Sequence, residues 1–186
     1  ATGIIMLSLK GGRDAARFLD RMYVNALASL AVGRSRYAIL LNEAGFVIDD
    51  GIVARLAPDR FHVTTTTGGA ARVLAMMEDY LQTEFTDCTC WLTSVTEQWG
   101  VIAVQGPRAR DVLAPLIDGV ALDNAALPHM GVVEALIMGV PMRLFRARDV
   151  DSAGKLAVVD DHEHLVEEDL RVADAGGAGE QGGARY

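Results

Sequence analysis

The pair Asp49-Asp50 is the first feature of this 186-residue chain whose chemistry asks for an explanation. It lies in Val47-Ile48-Asp49-Asp50-Gly51-Ile52-Val53, an apolar, β-branched run that reads as strand. Aspartate is depleted from strand interiors, so two in succession need a reason. Alternation along a strand sends neighbouring side chains to opposite faces. The two carboxylates therefore do not form an acid–base pair in one cavity; one is expected to face a pocket and the other solvent. A carboxylate withdrawn from water is costly unless it is paired or hydrogen-bonded, and a ligand amine would satisfy it.

Other stretches offer weaker chemistry. Thr64–Thr67 followed by Gly68-Gly69 reads as a strand running into a helix N-terminus. Hydroxyls and free N–H groups at such a junction can hold a carboxylate or a polar ring. The plainer reading is a capped helix after a β-branched strand. Asp160-Asp161-His162-Glu163-His164 collects metal-ligand residue types, but density of ligand types is not geometry, and no metal site is expected there. Gly177-Ala178-Gly179-Glu180-Gln181-Gly182 has the spacing of a dinucleotide-binding turn without the flanking strand and helix that such a site requires. His62 and His129 are isolated and read as structural. No Ser/His/Asp or Cys/His nucleophile arrangement is legible.

The elements that must position Asp49-Asp50 follow from the patterning. Tyr37–Leu41, the turn Asn42-Glu43-Ala44-Gly45 and a return strand to Leu56 or Ala57 form a hairpin, with Gly45 available for positive φ. Ile4–Leu9 is a strand. Arg13–Met22 has helical spacing with Ala15, Phe18, Leu19 and Met22 on one side. After Pro58-Asp59, Phe61–Thr66 is a further strand. A helix of about 16 residues opens at Gly68-Gly69, with Val73, Met76, Met77, Tyr80 and Leu81 facing inward. Trp91–Val95 and Val101–Val104 are strands. Pro107 opens a helix with Val112, Leu113 and Leu116 inward. Val132–Met138 and Met142–Phe145 flank a last hairpin. The order is β-α-β-β-β-α-β-β-α-β-β. Short connections imply mostly antiparallel pairing, hence an α+β domain with helices packed on a sheet.

Composition bounds the rest. Hydrophobic residues make up 51 %, which indicates a globular chain. No run is long enough to span a bilayer, and no secretory signal is visible. The start in strand-like sequence without Met reads as a piece of a longer product. Net charge is −8. Residues 147–186 hold ten acids against four bases, a net −6, which leaves −2 for residues 1–146. A nearly neutral body with no basic stripe gives no support to nucleic-acid binding. Cys88 and Cys90, at i, i+2 in an expected strand, are too few for a disulfide framework; they read as inert buried thiols in a reducing, cytoplasmic setting. The domain is expected to occupy 1–146. Residues 147–186 read as a poorly ordered acidic, Gly-rich tail with at most one helix near His164–Val172.

Several separated motifs, in order, carry a resemblance. Tyr37, Asn42–Asp50 and Gln105-Gly106-Pro107 resemble the folate-binding domain of the aminomethyltransferase family, typified by the glycine cleavage T-protein. Arg21–Ala26, Thr64–Ala71 and Leu92–Trp99 are similar to the C-terminal half of the alpha subunit of heterotetrameric sarcosine oxidase. The resemblance covers about residues 3–146 and implies a tetrahydrofolate site. In it Asp50 would be the catalytic carboxylate beside the folate nitrogens that carry the one-carbon unit, with Tyr37 and Thr66 lining the pterin pocket and Asp49 facing away. It implies capture of an oxidised methyl group as 5,10-methylenetetrahydrofolate. Other sarcosine oxidase subunits or a second copy would be partners, and no flavin or NAD site is expected in this chain. After Leu144-Phe145-Arg146 the family's Ser/Thr-Gly-Glu motif has no counterpart. The reading from a different class is a truncated, non-catalytic fragment that folds or associates without binding folate.

Overall fold

The computed structural model describes residues 3–8, 14–147 and 155–161, the first and last of these segments by backbone alone. Two five-stranded sheets, antiparallel in every pairing, make up the described chain. Sheet A has the order β2-β3-β4-β1-β5, built from β1 (Gly3–Ser8), β2 (Arg34–Leu41), β3 (Val47–Ala57), β4 (Arg60–Thr65) and β5 (Trp91–Ser94). Sheet B has the order β6-β10-β9-β8-β7, from β6 (Trp99–Gln105), β7 (Ile117–Asp118), β8 (Val132–Ile137), β9 (Val140–Ala147) and β10 (Lys155–Asp161).

Helices α1 (Asp14–Met22) and α2 (Ala70–Thr83) cover the inner face of sheet A. Ala15, Phe18, Leu19 and Met22 of α1 are buried as their spacing predicts, and Ala16 joins them. On α2, Val73 and Met77 are fully buried, while Met76, Tyr80 and Leu81 pack against the core at its margin. These helical side chains meet Ala38 and Leu40 of β2, Val53 of β3, and Phe61 and Val63 of β4. The opposite face of β3 and β4 is partly covered by sheet B, through Ala54, Val95, Val132 and Phe145 with Ile52, Leu56 and Trp99 at the edge. A third cluster, around Leu113, Leu127 and Leu144, fills the other side of sheet B.

The Asn42–Gly45 turn forms because the Asn42 side chain replaces missing backbone partners. Its Oδ1 accepts from the N–H groups of Ala44 (3.1 Å) and Phe46 (2.9 Å), and Gly45 takes φ +82°. Backbone bonds tie the sheets together at one corner: Val132 N–H donates to Gly33 O (2.9 Å) and Ser35 N–H to Met130 O (2.7 Å).

Four expectations need correction. Cys88 and Cys90 lie in the loop before β5, not in a strand; both thiols are free and buried, and burial first, then the nearby Cys88, pushes Cys90 up to about 12. The helix after Pro107 is only α3 (Ala109–Leu113), followed by a 3-10 turn (Ala114–Leu116) that Pro115 favours. So short a helix presents one narrow face: Leu113 and Ala109 are buried, whereas Val112 and Leu116 are exposed. The last hairpin closes on Met138-Gly139 alone, at φ +52° and +84°, so Pro141 falls inside β9. Finally, β10 lies between β6 and β9 in residues that were expected to carry no strand. The expected helix near His164–Val172 and the Asp160–His164 run, apart from the backbone of Asp160 and Asp161, lie outside the described residues.

Candidate functional site

Register decides what Asp49 and Asp50 face. Across the hairpin, Leu40 opposes Asp49, Ile39 opposes Asp50 and Tyr37 opposes Ile52. Leu40 and Val53 belong to the helix-covered core, so Asp49 shares that inner face, and it is buried to 5 % exposure. Asp50 is exposed on the outer face beside Ile39 and diagonal to Tyr37. The two carboxylates do lie on opposite faces. The one expected to face away into solvent, Asp49, instead faces the protein interior.

The outer face carries an apolar surface around Asp50. Val24, which follows Tyr23 and donates its N–H to Ile39 O (3.1 Å), extends the row across β2. Val24, Tyr37 and Ile39 are exposed at 63 %, 47 % and 41 %. Ile52 borders them and is already in contact with the inter-sheet cluster. Asp50 and Tyr37 thus sit on the stretch of sheet A that sheet B leaves uncovered, next to the line where coverage begins. The sequence signal for Ile39 was present in strand parity; Val24 lies outside any strand and carried none, and nothing in the sequence revealed where sheet B stops.

Asp49 has a different environment. Its Oδ1 accepts from Asp50 N–H (2.8 Å) and from Thr66 N–H (3.1 Å). Its Oδ2 is buried without a hydrogen-bond partner among the described residues. A Cβ on Gly69 would lie 2.1 Å from that oxygen and 2.6 Å from Thr66 Oγ1, so glycine is required here by close approach. Thr66, exposed and one residue past β4 in the link to α2, therefore has its hydroxyl on Asp49's side of the sheet. The structure brings Tyr37 and Asp50 together on one face and joins Thr66 to them only through Asp49. Burial first, then the Asp49 charge, raises the Tyr23 phenol above its usual range. Gly51, between Asp50 and Ile52, is fixed by sterics: a Cβ there would lie 2.0 Å from Thr64 O, and Thr64 Oγ1 accepts from Ile52 N–H at 2.7 Å.

A concavity of about 270 Å³ lies between the end of α1, the hairpin turn and α2, lined by Arg21, Tyr23, Glu43, Met76 and Tyr80 among others. Tyr80 Oη donates to Glu43 across it (3.1 Å). It is on the helix side of the hairpin and does not reach Asp50. No group of three or more metal-ligating side chains occurs among the described residues, and none of their helices is long and apolar enough to cross a membrane.

The hairpin, the strand–helix junction and the paired sheets recur in known proteins. Residues 7–150 match the family model described as the GCVT N-terminal domain. The chain belongs to this family. Sarcosine oxidase subunit alpha from Corynebacterium sp. (strain P-1) is 44 % identical over 147 residues, which cover 78 % of this chain and 15 % of that protein. The Rhizobium meliloti subunit is 39 % identical over 148 residues with the same coverage. An aminomethyltransferase from Herpetosiphon aurantiacus is 31 % identical over 128 residues, 69 % of this chain and 34 % of that enzyme. This GCVT N-terminal domain chain therefore spans about 15 % of the length of the sarcosine oxidase subunits it matches. Among solved structures, the glycine cleavage system aminomethyltransferase T from Bartonella henselae superposes with a TM-score of 0.69 at 26 % identity, over 86 % of this chain and 40 % of that one. A chain of the heterotetrameric sarcosine oxidase from Corynebacterium sp. U-96, at 16 % identity and a TM-score of 0.60, shares the fold.

Proposed function

We propose that the outer face around Asp50 binds tetrahydrofolate as part of a one-carbon transfer domain of sarcosine-oxidase-alpha type. The observation that carries this reading is a single exposed carboxylate set among half-exposed apolar side chains, Tyr37 and Ile39, at the seam between the sheets. Such a surface suits a flat, amine-bearing ring system: the Tyr37 ring and the isoleucines offer stacking area, and Asp50 accepts from N–H groups. When bound, tetrahydrofolate supplies the nitrogens that hold the one-carbon unit. Asp50 orients those nitrogens, stabilises positive charge developing next to them, and can hold a proton at its carboxylate. Thr66, just past β4 and on Asp49's side, is linked to this face through the Asp49 carboxylate. The reaction served would leave the oxidised methyl group of an amine as 5,10-methylenetetrahydrofolate. The residues for flavin or NAD chemistry would belong to other parts of a sarcosine-oxidase-like protein, and its other subunits are the natural partners. Free, buried thiols suit a reducing, cytoplasmic location.

Titration of the 186-residue chain with tetrahydrofolate, followed by tryptophan fluorescence, tests the reading. Asp50→Ala removes a charge-assisted hydrogen bond and should weaken binding by about 1.5–3 kcal/mol, roughly 10- to 150-fold. Absence of binding by the parent chain would instead favour a non-catalytic fragment, in keeping with its coverage of only 15 % of the relatives' length.

A further inference from the structure

We propose that Asp49 is a positioning residue for Asp50, acting through the backbone. This rests on the tetrahydrofolate reading above and assigns the inner carboxylate a part in it. Three observations converge. The inner carboxylate uses one oxygen to hold two amides, Asp50 N–H and Thr66 N–H, and so ties β3 to the segment that leads into α2. That oxygen bonds the very peptide from which the Asp50 side chain projects. The neighbouring Gly69 leaves no room for a Cβ beside Oδ2, so any side chain there would have to displace the carboxylate. Gly69 N–H in turn donates to Thr66 O (2.9 Å), and Val73 N–H donates to Gly69 O (2.9 Å), which continues the chain of bonds into the first turn of α2. Asp49 never reaches the outer face. Its effect on a ligand there passes through the fixed direction of the Asp50 peptide.

The arrangement separates the two oxygens of Asp49. Oδ1 carries both hydrogen bonds, and Oδ2 carries none among the described residues. An amide in place of the carboxylate keeps the Oδ1 acceptor for both the Asp50 and Thr66 amides. Asp49→Asn is therefore expected to preserve the site, and Asp49→Ala to lose it.

The test combines tetrahydrofolate affinity with amide hydrogen exchange on the 186-residue chain. Asp49→Asn should bind within about threefold of the parent, whereas Asp49→Ala, folded by circular dichroism, should bind at least about tenfold more weakly. In an Asp50→Ala background the further change Asp49→Ala should cost less than about twofold, because the two act through one group. The Thr66 and Asp50 amides should exchange at least about tenfold faster in Asp49→Ala and return to the parent rate in Asp49→Asn. Additive losses in the double variant, or Asp49→Asn binding as poorly as Asp49→Ala, would overturn the proposal. If the parent binds no tetrahydrofolate, the functional reading fails, and exchange rates alone judge the positioning role: unchanged amides in Asp49→Ala refute it. Should Asp49→Ala not fold, Gly69→Ala, which displaces the carboxylate without removing it, takes its place with the same expected losses.

Discussion

Burial of His62 against Arg143 removes both ways in which an imidazole usually accommodates a proton. The ring is inaccessible to water, and its Nδ1 lies 3.1 Å from an Arg143 guanidinium nitrogen. Arginine can only donate, so Nδ1 must accept and the single ring proton sits on Nε2. Desolvation first, and then the Arg143 charge, push the His62 pKa down to about 3 from an ordinary 6.5. The unfolded chain binds this proton near pH 6.5 while the folded chain refuses it, so stability is intact above that pH and drains away as pH falls toward 3. At pH 5 the loss from this one residue should be about 2 kcal/mol. Urea unfolding at pH 7 and pH 5 measures it. His62→Gln, which keeps an acceptor for Arg143, should abolish that part of the pH dependence; equal slopes for variant and parent would refute the account.

Individual elements differ in how well they suit the residues they contain. The Asn42–Gly45 turn has the side chain and the glycine its geometry needs, and the sequence alone announces it. The turn between β8 and β9 does not: Met138 holds φ +52° at 80 % exposure, and nothing in the structure explains why a methionine is there. A non-glycine residue in the left-handed region costs about 1–2 kcal/mol, and two-residue hairpins prefer Asn-Gly. Met138→Asn should therefore stabilise the protein by about 0.5–1 kcal/mol, read as a rise in the urea midpoint at unchanged slope. This contrast also explains what was legible beforehand. Helices α1 and α2 are strongly periodic, and Phe18, Leu19, Val73 and Met77 fall where their spacing puts them. Asp49 and Asp50 were correctly sent to opposite faces by alternation. Which face is the interior was not readable, because Ile48 and Ile52 flank Asp50 while Val47 and Val53 share Asp49's parity, and both sets are apolar. Only the docking of α1 and α2 breaks that tie. The short α3 escaped because three turns' worth of apolar residues after Pro107 are spent on a 3-10 turn and a two-residue strand, β7.

At the scale of the molecule, one buried guanidinium reinforces the apolar cluster and the backbone corner that hold the two sheets face to face. Arg143 on β9 reaches His62 on β4, lies over the Trp99 ring at 4.0 Å, and pairs with Glu134 at 3.2 Å; Glu134 is also bound by Arg60 at 2.8 Å. Truncating it leaves the buried Nδ1 of His62 without its donor and opens a cavity above Trp99. Arg143→Ala should cost about 2–4 kcal/mol in chemical unfolding, and a loss under about 1 kcal/mol would refute a part for the guanidinium in holding the sheets. This clasp and the Gly33–Val132 corner fix the line where sheet B stops covering sheet A, and hence how much of the Asp50 face stays open.

The placement of β1 bears on how the fold is reached. Its residues, 3–8, are flanked in sheet A by β4 at 60–65 and β5 at 91–94. The earliest strand of this segment to leave a ribosome must therefore wait for partners more than fifty residues behind it, while the β2–β3 hairpin zips locally. Pairings so distant along the chain slow folding, and an apolar strand left waiting without a partner is a nucleus for aggregation. Synthesis of this domain should accordingly be most vulnerable in the interval between completion of the hairpin and emergence of β5.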